Sequence, residues 1–367
     1  MNARKTKKII NRGFLIVLGT LVVFGFFVLF FASYNIGVAR FGDSTYYLRQ
    51  QILKGGLAGL VGFFLLSRIR LEILKKYSLM ILIVALGLSV LVFFPRFNFS
   101  HNGSSRWISF GFVNFQPAEI LKLSFLVYLA SWLQSRRREI KGFSAGLLPF
   151  AVIIGIIGFL LLAQPDLGTF GIIALSAIAV YFTAGGKLNH LALLGIVGIA
   201  AFSVFVFFKP YAAERIKVFL HPQNDASGSA YQINQALAAI GIGGVSGAGI
   251  GRDFITPYLP EAIGDSIFAV LGEKLGLFGI SFALALYLLF AVFGYRIAMK
   301  SGDYFSELLA VGITTWIVVQ SFFNIAAISG IVPLTGVPLP FMSYGGSSLA
   351  INLSAAGIIA NISRSAV

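Results

Sequence analysis

Gly13-Phe-Leu-Ile-Val-Leu-Gly-Thr-Leu-Val-Val-Phe-Gly-Phe-Phe-Val-Leu-Phe-Phe-Ala-Ser33 runs for 21 residues without a charge. A helix that crosses a bilayer needs about 20 mostly apolar residues, so this stretch reads as a membrane span. It is too long for the apolar core of a signal peptide, has no small-x-small cleavage site and is followed by more segments of its kind. It therefore reads as a retained helix. Arg4, Lys5, Lys7, Lys8 and Arg12 precede it, and such basic flanks stay on the cytoplasmic side.

Nine further segments follow the same pattern: 52–66, 77–95, 117–134, 146–163, 169–186, 188–208, 266–294, 305–331 and 345–363. The chain of 367 residues is 57% hydrophobic and 11% charged, against about 25% charged in soluble domains. The expected fold is an all-α polytopic membrane protein of about ten transmembrane helices, one integral membrane domain over 1–367. Ordinary soluble folds and disorder are excluded. The absence of cysteine removes disulfides, thiolate metal sites and thiol nucleophiles. The three histidines, His101, His190 and His221, are too scattered in sequence for an imidazole metal site.

The net charge of +15 is mostly topology. Threading the chain through ten spans places seventeen basic residues on the side of the basic N-terminus (1–12) and eight on the other. Both termini are then cytoplasmic. The basic residues are dispersed between helices, which speaks against nucleic acid as a partner and leaves room for anionic lipid.

One long extracytoplasmic loop, 209–264, joins the seventh and eighth spans. Within it Ser229-Ala-Tyr-Gln232 resembles a capping box, and Ala230, Ile233, Leu237 and Ile240 follow at helical spacing. The expected element is a short amphipathic helix lying on the outer membrane surface, with a helix packed on the bundle and without a role in chemistry as the alternative. The run Ala239-Ile-Gly-Ile-Gly-Gly-Val-Ser-Gly-Ala-Gly-Ile-Gly251 has no Gly-Lys-Ser/Thr and follows a helix, so a nucleotide site is disfavoured; turns or a close backbone approach account for it better.

Charges inside a bilayer are expensive, about 2.5–3.5 kcal/mol each at a helix centre. Arg49, Lys54, Glu119, Lys122, Asp166, Asp265, Glu273 and Lys274 therefore need a reason. Most fall on the outer half, which implies a polar cavity open to the outer leaflet. Glu119 and Lys122, three apart on one helical face, can pair, whether for structure or for chemistry. Lys54 can snorkel. Partial desolvation of Asp265 would raise its pKa from about 4 and make it a better general base. From composition alone, a capping acid on the eighth span is the simpler reading. Glu273 and Lys274 lie about 12–14 Å further along the helix, so a structural role is expected for them.

Six motifs, in order, resemble the SEDS family of FtsW, RodA and SpoVE: Arg106-Trp-Ile-Ser-Phe-Gly111, Phe115-Gln-Pro-Ala-Glu-Ile-Leu-Lys122, Gln164-Pro-Asp-Leu-Gly-Thr169, the stretch opening at Ser229-Ala-Tyr-Gln232, Leu259-Pro-Glu-Ala-Ile-Gly-Asp-Ser266 running on to Gly276, and Pro338-Leu-Pro-Phe-Met-Ser-Tyr-Gly-Gly-Ser-Ser348. The resemblance covers about 14–364. It implies a peptidoglycan glycosyltransferase of the bacterial cytoplasmic membrane, polymerising lipid II at the outer face and releasing undecaprenyl diphosphate. It implies Asp265 as catalytic acid, with Arg49, Glu119, Lys122, Asp166, Glu261 and Ser343 on the substrate side. A class B penicillin-binding transpeptidase and other divisome or elongasome membrane proteins are the implied partners. A divalent cation (Mg or Mn) can share the diphosphate charge, without an all-protein metal cage and without a nucleotide. The Gly-rich loop and Leu259-Pro-Glu-Ala262 are closer to the FtsW branch, which implies a septal role. One departure stands out: the family's usual His-Thr before the acid is Ile263-Gly264 here. A lipid II flippase is the second reading, ranked lower because no repeat is visible and the acids are not at the midplane.

Overall fold

The computed structural model describes residues 10–101, 104–109, 114–220 and 228–365. Most of the basic N-terminal segment (1–9) and part of the long loop (221–227) lie outside the described residues. Among the described residues the chain is overwhelmingly helical. In order come α1 (Arg12–Phe41), α2 (Tyr46–Gln50), α3 (Leu57–Leu66), α4 (Leu71–Lys76), α5 (Ser78–Leu91), α6 (Pro117–Ser135), α7 (Leu148–Ala163), α8 (Leu167–Thr183), α9 (Leu188–Phe208), α10 (Pro210–Leu220), α11 (Ser229–Gly243), α12 (Ile267–Met299), α13 (Tyr304–Ile328) and α14 (Gly346–Ser363). A π-helical turn, Gln51–Gly56, joins α2 to α3, and a second, Phe143–Leu147, leads into α7.

All ten predicted segments fall on helix. Among the described residues six helices are long and apolar enough to cross a membrane by length and composition: Arg12–Phe41, Phe143–Ala163, Leu188–Phe208, Ile267–Met299, Tyr304–Ile328 and Gly346–Ser363. Large apolar side chains face outward along them, such as Phe159 at 79% exposure and Phe207 at 83%. Along α9 only His190 is buried. Apolar surface on that scale is what a lipid environment covers.

One feature departs from the all-helical reading. The connection between α5 and α6 carries a small antiparallel sheet in the order β1 (Asn98–His101), β2 (Ser104–Ser109), β3 (Asn114–Phe115). The loop 209–264 is not open coil, since it holds α10, α11 and a 3-10 turn, Thr256–Tyr258. Of the two placements expected for α11, packing on the bundle is the one observed. Ala230, Ile233, Ala236 and Ala239 form its buried stripe, and α12 is its main neighbour.

Small residues set the closest helix approaches. A Cβ on Gly59 of α3 would sit 2.6 Å from Leu353 Cδ1 of α14, and one on Gly357 of α14 would sit 2.6 Å from the Phe63 carbonyl oxygen of α3. Close backbone contact replaces the hydrophobic driving force that lipid cannot supply. The long helix α12 is broken at Gly276, which has φ 59° and ψ −154°. The Gly-rich run fills that break. The amide of Ala248 donates to the Glu273 carbonyl at 2.8 Å and the amide of Leu277 to the Gly244 carbonyl at 2.9 Å. The close backbone approach expected of the glycines is thus made within the chain.

Candidate functional site

Asp265 stands just before α12, at the end of a tight turn. The amides of Gly264 and Ser266 both donate to the Glu261 carbonyl, at 2.9 and 3.1 Å, and Glu261 itself takes a left-handed φ of 51°. The turn presents the Asp265 side chain to α11. There the Gln232 amide Nε2 donates to Asp265 Oδ1 at 3.0 Å and to Ser266 Oγ at 2.9 Å. From α13, Asn324 Nδ2 donates to the backbone oxygens of Asp265 at 2.7 Å and of Val337 at 2.9 Å. Side chain and main chain of the acid are therefore each held by one amide, from two different helices.

Both local readings of this region need correction. The N-cap of α12 is Ser266, and no side chain hydrogen-bonds there, so Asp265 is not a capping acid. The N-cap of α11 is Gly228, also without a side-chain bond, so Ser229-Ala-Tyr-Gln232 is not a capping box. Gln232 is used for Asp265 instead.

Burial pushes the Asp265 carboxyl up to about 7, and the Glu261 charge adds to the rise. The Gln232 hydrogen bond and the Arg215 charge oppose it. Burial and a like charge both disfavour a carboxylate, whereas a donor and a cation favour it. An acid poised near neutrality can accept a proton from a substrate at working pH.

The loop 333–345 closes one wall. Ser343 Oγ donates to the Gly264 carbonyl at 2.7 Å and accepts from the Leu339 amide at 2.8 Å, while the Tyr344 amide donates to the Ile263 carbonyl at 2.8 Å. Ser343 thus ties the wall to the Asp265 turn. The Ile263-Gly264 pair serves this wall through its carbonyls. A Cβ on Gly264 would come within 2.9 Å of Glu261 Oε2, so the missing side chain leaves space for that carboxylate. Gln51, in the π-helical turn, completes the tie. Its Nε2 donates to the Ser343 carbonyl at 3.1 Å and its Oε1 accepts from the Gly345 amide at 2.9 Å.

The same wall reaches the paired charges of α6. Glu119 and Lys122 are each 2% exposed. Lys122 Nζ donates to Glu119 Oε1 at 2.9 Å and to Gln320 Oε1 at 2.7 Å, and it stands 4.9 Å from the centre of the Trp316 ring. Gln320 in turn donates to the Pro338 carbonyl at 2.9 Å. Asp166 caps α8 by accepting from the Thr169 amide at 3.2 Å, and two residues on a Cβ at Gly168 would meet Val337 Cγ1 at 2.7 Å. Arg106 of β2 braces this turn through the carbonyls of Gln164 and Pro165. Arg215 of α10 donates to the Leu334 carbonyl at 2.9 Å, which brings a cation to the Asp265 side of the loop.

Asp265, Glu261, Ser343, Glu119 and Lys122 thus border one hydrogen-bonded wall, and Asp166 lies beside it through the packing of Gly168 on Val337. Arg49 stands apart, with its side chain 56% exposed and its guanidinium 3.2 Å from Asp43 Oδ2. Glu273 and Lys274 lie outside this group and are structural, as expected. The Glu273 carboxylate accepts from the amides of Phe254, Ile255 and Thr256 at 2.7, 3.2 and 2.9 Å, and Lys274 pairs with Asp253. Sequence reasoning missed Gln51, Gln320, Asn324 and Arg215 as wall residues. Gln320 and Asn324, four apart in an apolar helix, were the available signal.

Among the described residues no three His, Asp or Glu side chains gather as a metal-ligand set.

These elements define a polytopic helical membrane protein with an acid held against a loop wall at the mouth of the bundle. The chain belongs to the FtsW/RodA/SpoVE family of cell cycle proteins, whose family model matches residues 11–367. Stage V sporulation protein E of Bacillus subtilis (strain 168) is 35% identical over 347 residues, 94% of each chain. A probable peptidoglycan glycosyltransferase FtsW of Geobacter sulfurreducens is 36% identical over 370 residues, 99% of this chain and 98% of that one. Among solved structures, a chain of a peptidoglycan synthase complex that coordinates polymerization and crosslinking superposes with a TM-score of 0.80 at 25% identity, covering 97% of this chain and 98% of that one. The rod shape determining protein RodA of Thermus thermophilus gives 0.70 at 25% identity, covering 97% of both chains.

Proposed function

We propose that this protein is a peptidoglycan glycosyltransferase that polymerises lipid II at the outer face of the cytoplasmic membrane. In this reading the chain crosses ten times with both termini inside, so the Asp265 wall faces out, where a lipid-linked sugar keeps its tail in the outer leaflet. The observation that carries the reading is Asp265 itself, an acid pushed up to about 7 and held by amides on both side chain and backbone.

Asp265 takes the proton of the acceptor 4-hydroxyl of lipid II. The freed oxygen attacks the anomeric carbon of the growing glycan with inversion, and undecaprenyl diphosphate leaves. Arg49, exposed at the rim, meets the diphosphate by exchanging Asp43 for it and so brings a cation to the developing charge. Lys122 is already bonded to Glu119 and Gln320, so it acts through the wall. A divalent cation, magnesium or manganese, belongs in this reading to the diphosphate as part of the substrate. A class B penicillin-binding transpeptidase is the partner and the division septum the site of action, with other divisome or elongasome proteins around it.

The break in α12 at Gly276 favours one second reading, flipping of the same lipid, because transporters build sites on interrupted helices. Here the break is closed by the Gly-rich run, which ranks it second. Incubating the purified protein with labelled lipid II, with and without a cognate transpeptidase, separates the two. Long glycan is the expected product. Transbilayer movement of lipid II without glycan would replace the polymerase with the flippase.

A further inference from the structure

We infer that Gln232, on the extracytoplasmic helix α11, is a positioning residue for Asp265 that fixes its carboxylate for proton abstraction. The inference rests on the reading of Asp265 as the base. Three observations carry it. Gln232 Nε2 makes two bonds at once, to Asp265 Oδ1 at 3.0 Å and Ser266 Oγ at 2.9 Å. A forked contact of that kind fixes the side-chain torsion as well as the distance. The helix that carries Gln232 is itself held rigidly, with Ala230, Ile233, Ala236 and Ala239 buried against the bundle. And Gln232 serves no local purpose, because α11 has no side-chain cap.

The chemistry follows from the donor. An N–H to a carboxylate stabilises the ionised form, which is the form that accepts a proton. It also holds Oδ1, leaving Oδ2 for the acceptor hydroxyl; Gly336, whose Cβ would lie 3.8 Å from Oδ2, keeps that side uncrowded. The charges that act on Asp265 are Glu261 from its own turn and Arg215 from α10. Asn324 of α13 supplies a neutral amide to the backbone, and the facing loop supplies carbonyls and Ser343. Gln232 is thus the neutral side-chain donor to the carboxylate, standing between a like charge and an opposite one.

The test is the pH profile of lipid II polymerisation by the purified full chain, for wild type, Gln232→Leu and Gln232→Glu, with thermal unfolding of each. Gln232→Leu keeps the size and loses the donor. Its acidic limb should move to higher pH, with kcat down about tenfold to a hundredfold, KM little changed and the unfolding temperature retained. Gln232→Glu adds a second like charge and should move the limb further in the same direction. An equal loss at every pH, or limbs that do not follow the order wild type, Leu, Glu, would overturn the positioning role. If Gln232→Leu fails to fold, the Glu variant alone decides by the same limb. Asp265→Asn is run alongside. Its full activity would remove the base reading, whereas an inactive Asp265→Asn beside unmoved Gln232 limbs would remove only the inference drawn here.

Discussion

Lys122 Nζ reaches Gln320 Oε1 at 2.7 Å, and through that bond a buried charge pair in α6 supports the loop that walls Asp265. Gln320 accepts from Lys122 and from Trp316 Nε1 at 2.9 Å while donating to Pro338. The pair is therefore as much a part of the wall as of the helix interface. Removing one member of a buried pair strands the other, at about 3–5 kcal/mol. Among the described residues Glu119 Oε2 already has no hydrogen-bond partner, so the stranded acid has little to fall back on. Lys122→Met should lower thermal stability strongly and the double variant Glu119→Leu/Lys122→Met should recover part of it. A Lys122→Met protein as stable as wild type would dissolve this link.

Gly276 is required by its backbone and by its neighbours. At φ 59° an alanine is strained, and its Cβ would press on the Val245 carbonyl oxygen at 2.7 Å and the Gly244 carbonyl oxygen at 2.8 Å. Gly276→Ala should cost about 1–3 kcal/mol. Among the described residues nothing lies within 4 Å of where a Cβ on Gly19 of α1 would sit, so Gly19→Ala should be neutral or slightly stabilising. Thermal unfolding of the two variants side by side checks the contrast.

Arg49 separates binding from stability. Its pair with Asp43 is exposed on the arginine side at 56%, and such pairs contribute about 0–1 kcal/mol. Arg49→Ala should unfold at nearly the wild-type temperature while turnover falls about tenfold to a hundredfold. Unchanged kinetics would remove Arg49 from the diphosphate site.

The helical framework was legible because apolar runs and basic flanks are dictated by the bilayer over twenty residues at a time. The small sheet at 98–115 was not, since a few Ser and aromatic residues leave no period to read. The site was legible where a charge in a membrane demanded an explanation: Asp265, Glu119 and Lys122. It was illegible where neutral amides do the holding. Gln232 carries a local signal, the Ser-x-x-Gln spacing, that points to a cap; only the approach of α11 to the Asp265 turn, a contact 33 residues long in sequence, redirects it. Asn324 and Gln51 depend in the same way on where the 333–345 loop lies. The structural fate of Glu273 was foreseeable from depth alone, but not that it would bind three backbone amides.

Polymerisation should rise with pH through about 7. The base must be ionised to act, and burial beside Glu261 pushes Asp265 up to about 7. Activity is thus present above that value and lost as pH falls through it, roughly thirtyfold below the plateau at about pH 5.5. A limb near pH 4, the ordinary range of a carboxyl, would mean that Asp265 is not the titrating group.

The central claim is that Asp265 is the base, and its direct test is glycan synthesis from labelled lipid II by Asp265→Asn beside wild type. The replacement preserves size and can still bond to Gln232. Asp265→Asn should fold, with the wild-type unfolding temperature or higher, and make no glycan. Glycan at the wild-type rate from Asp265→Asn would contradict it.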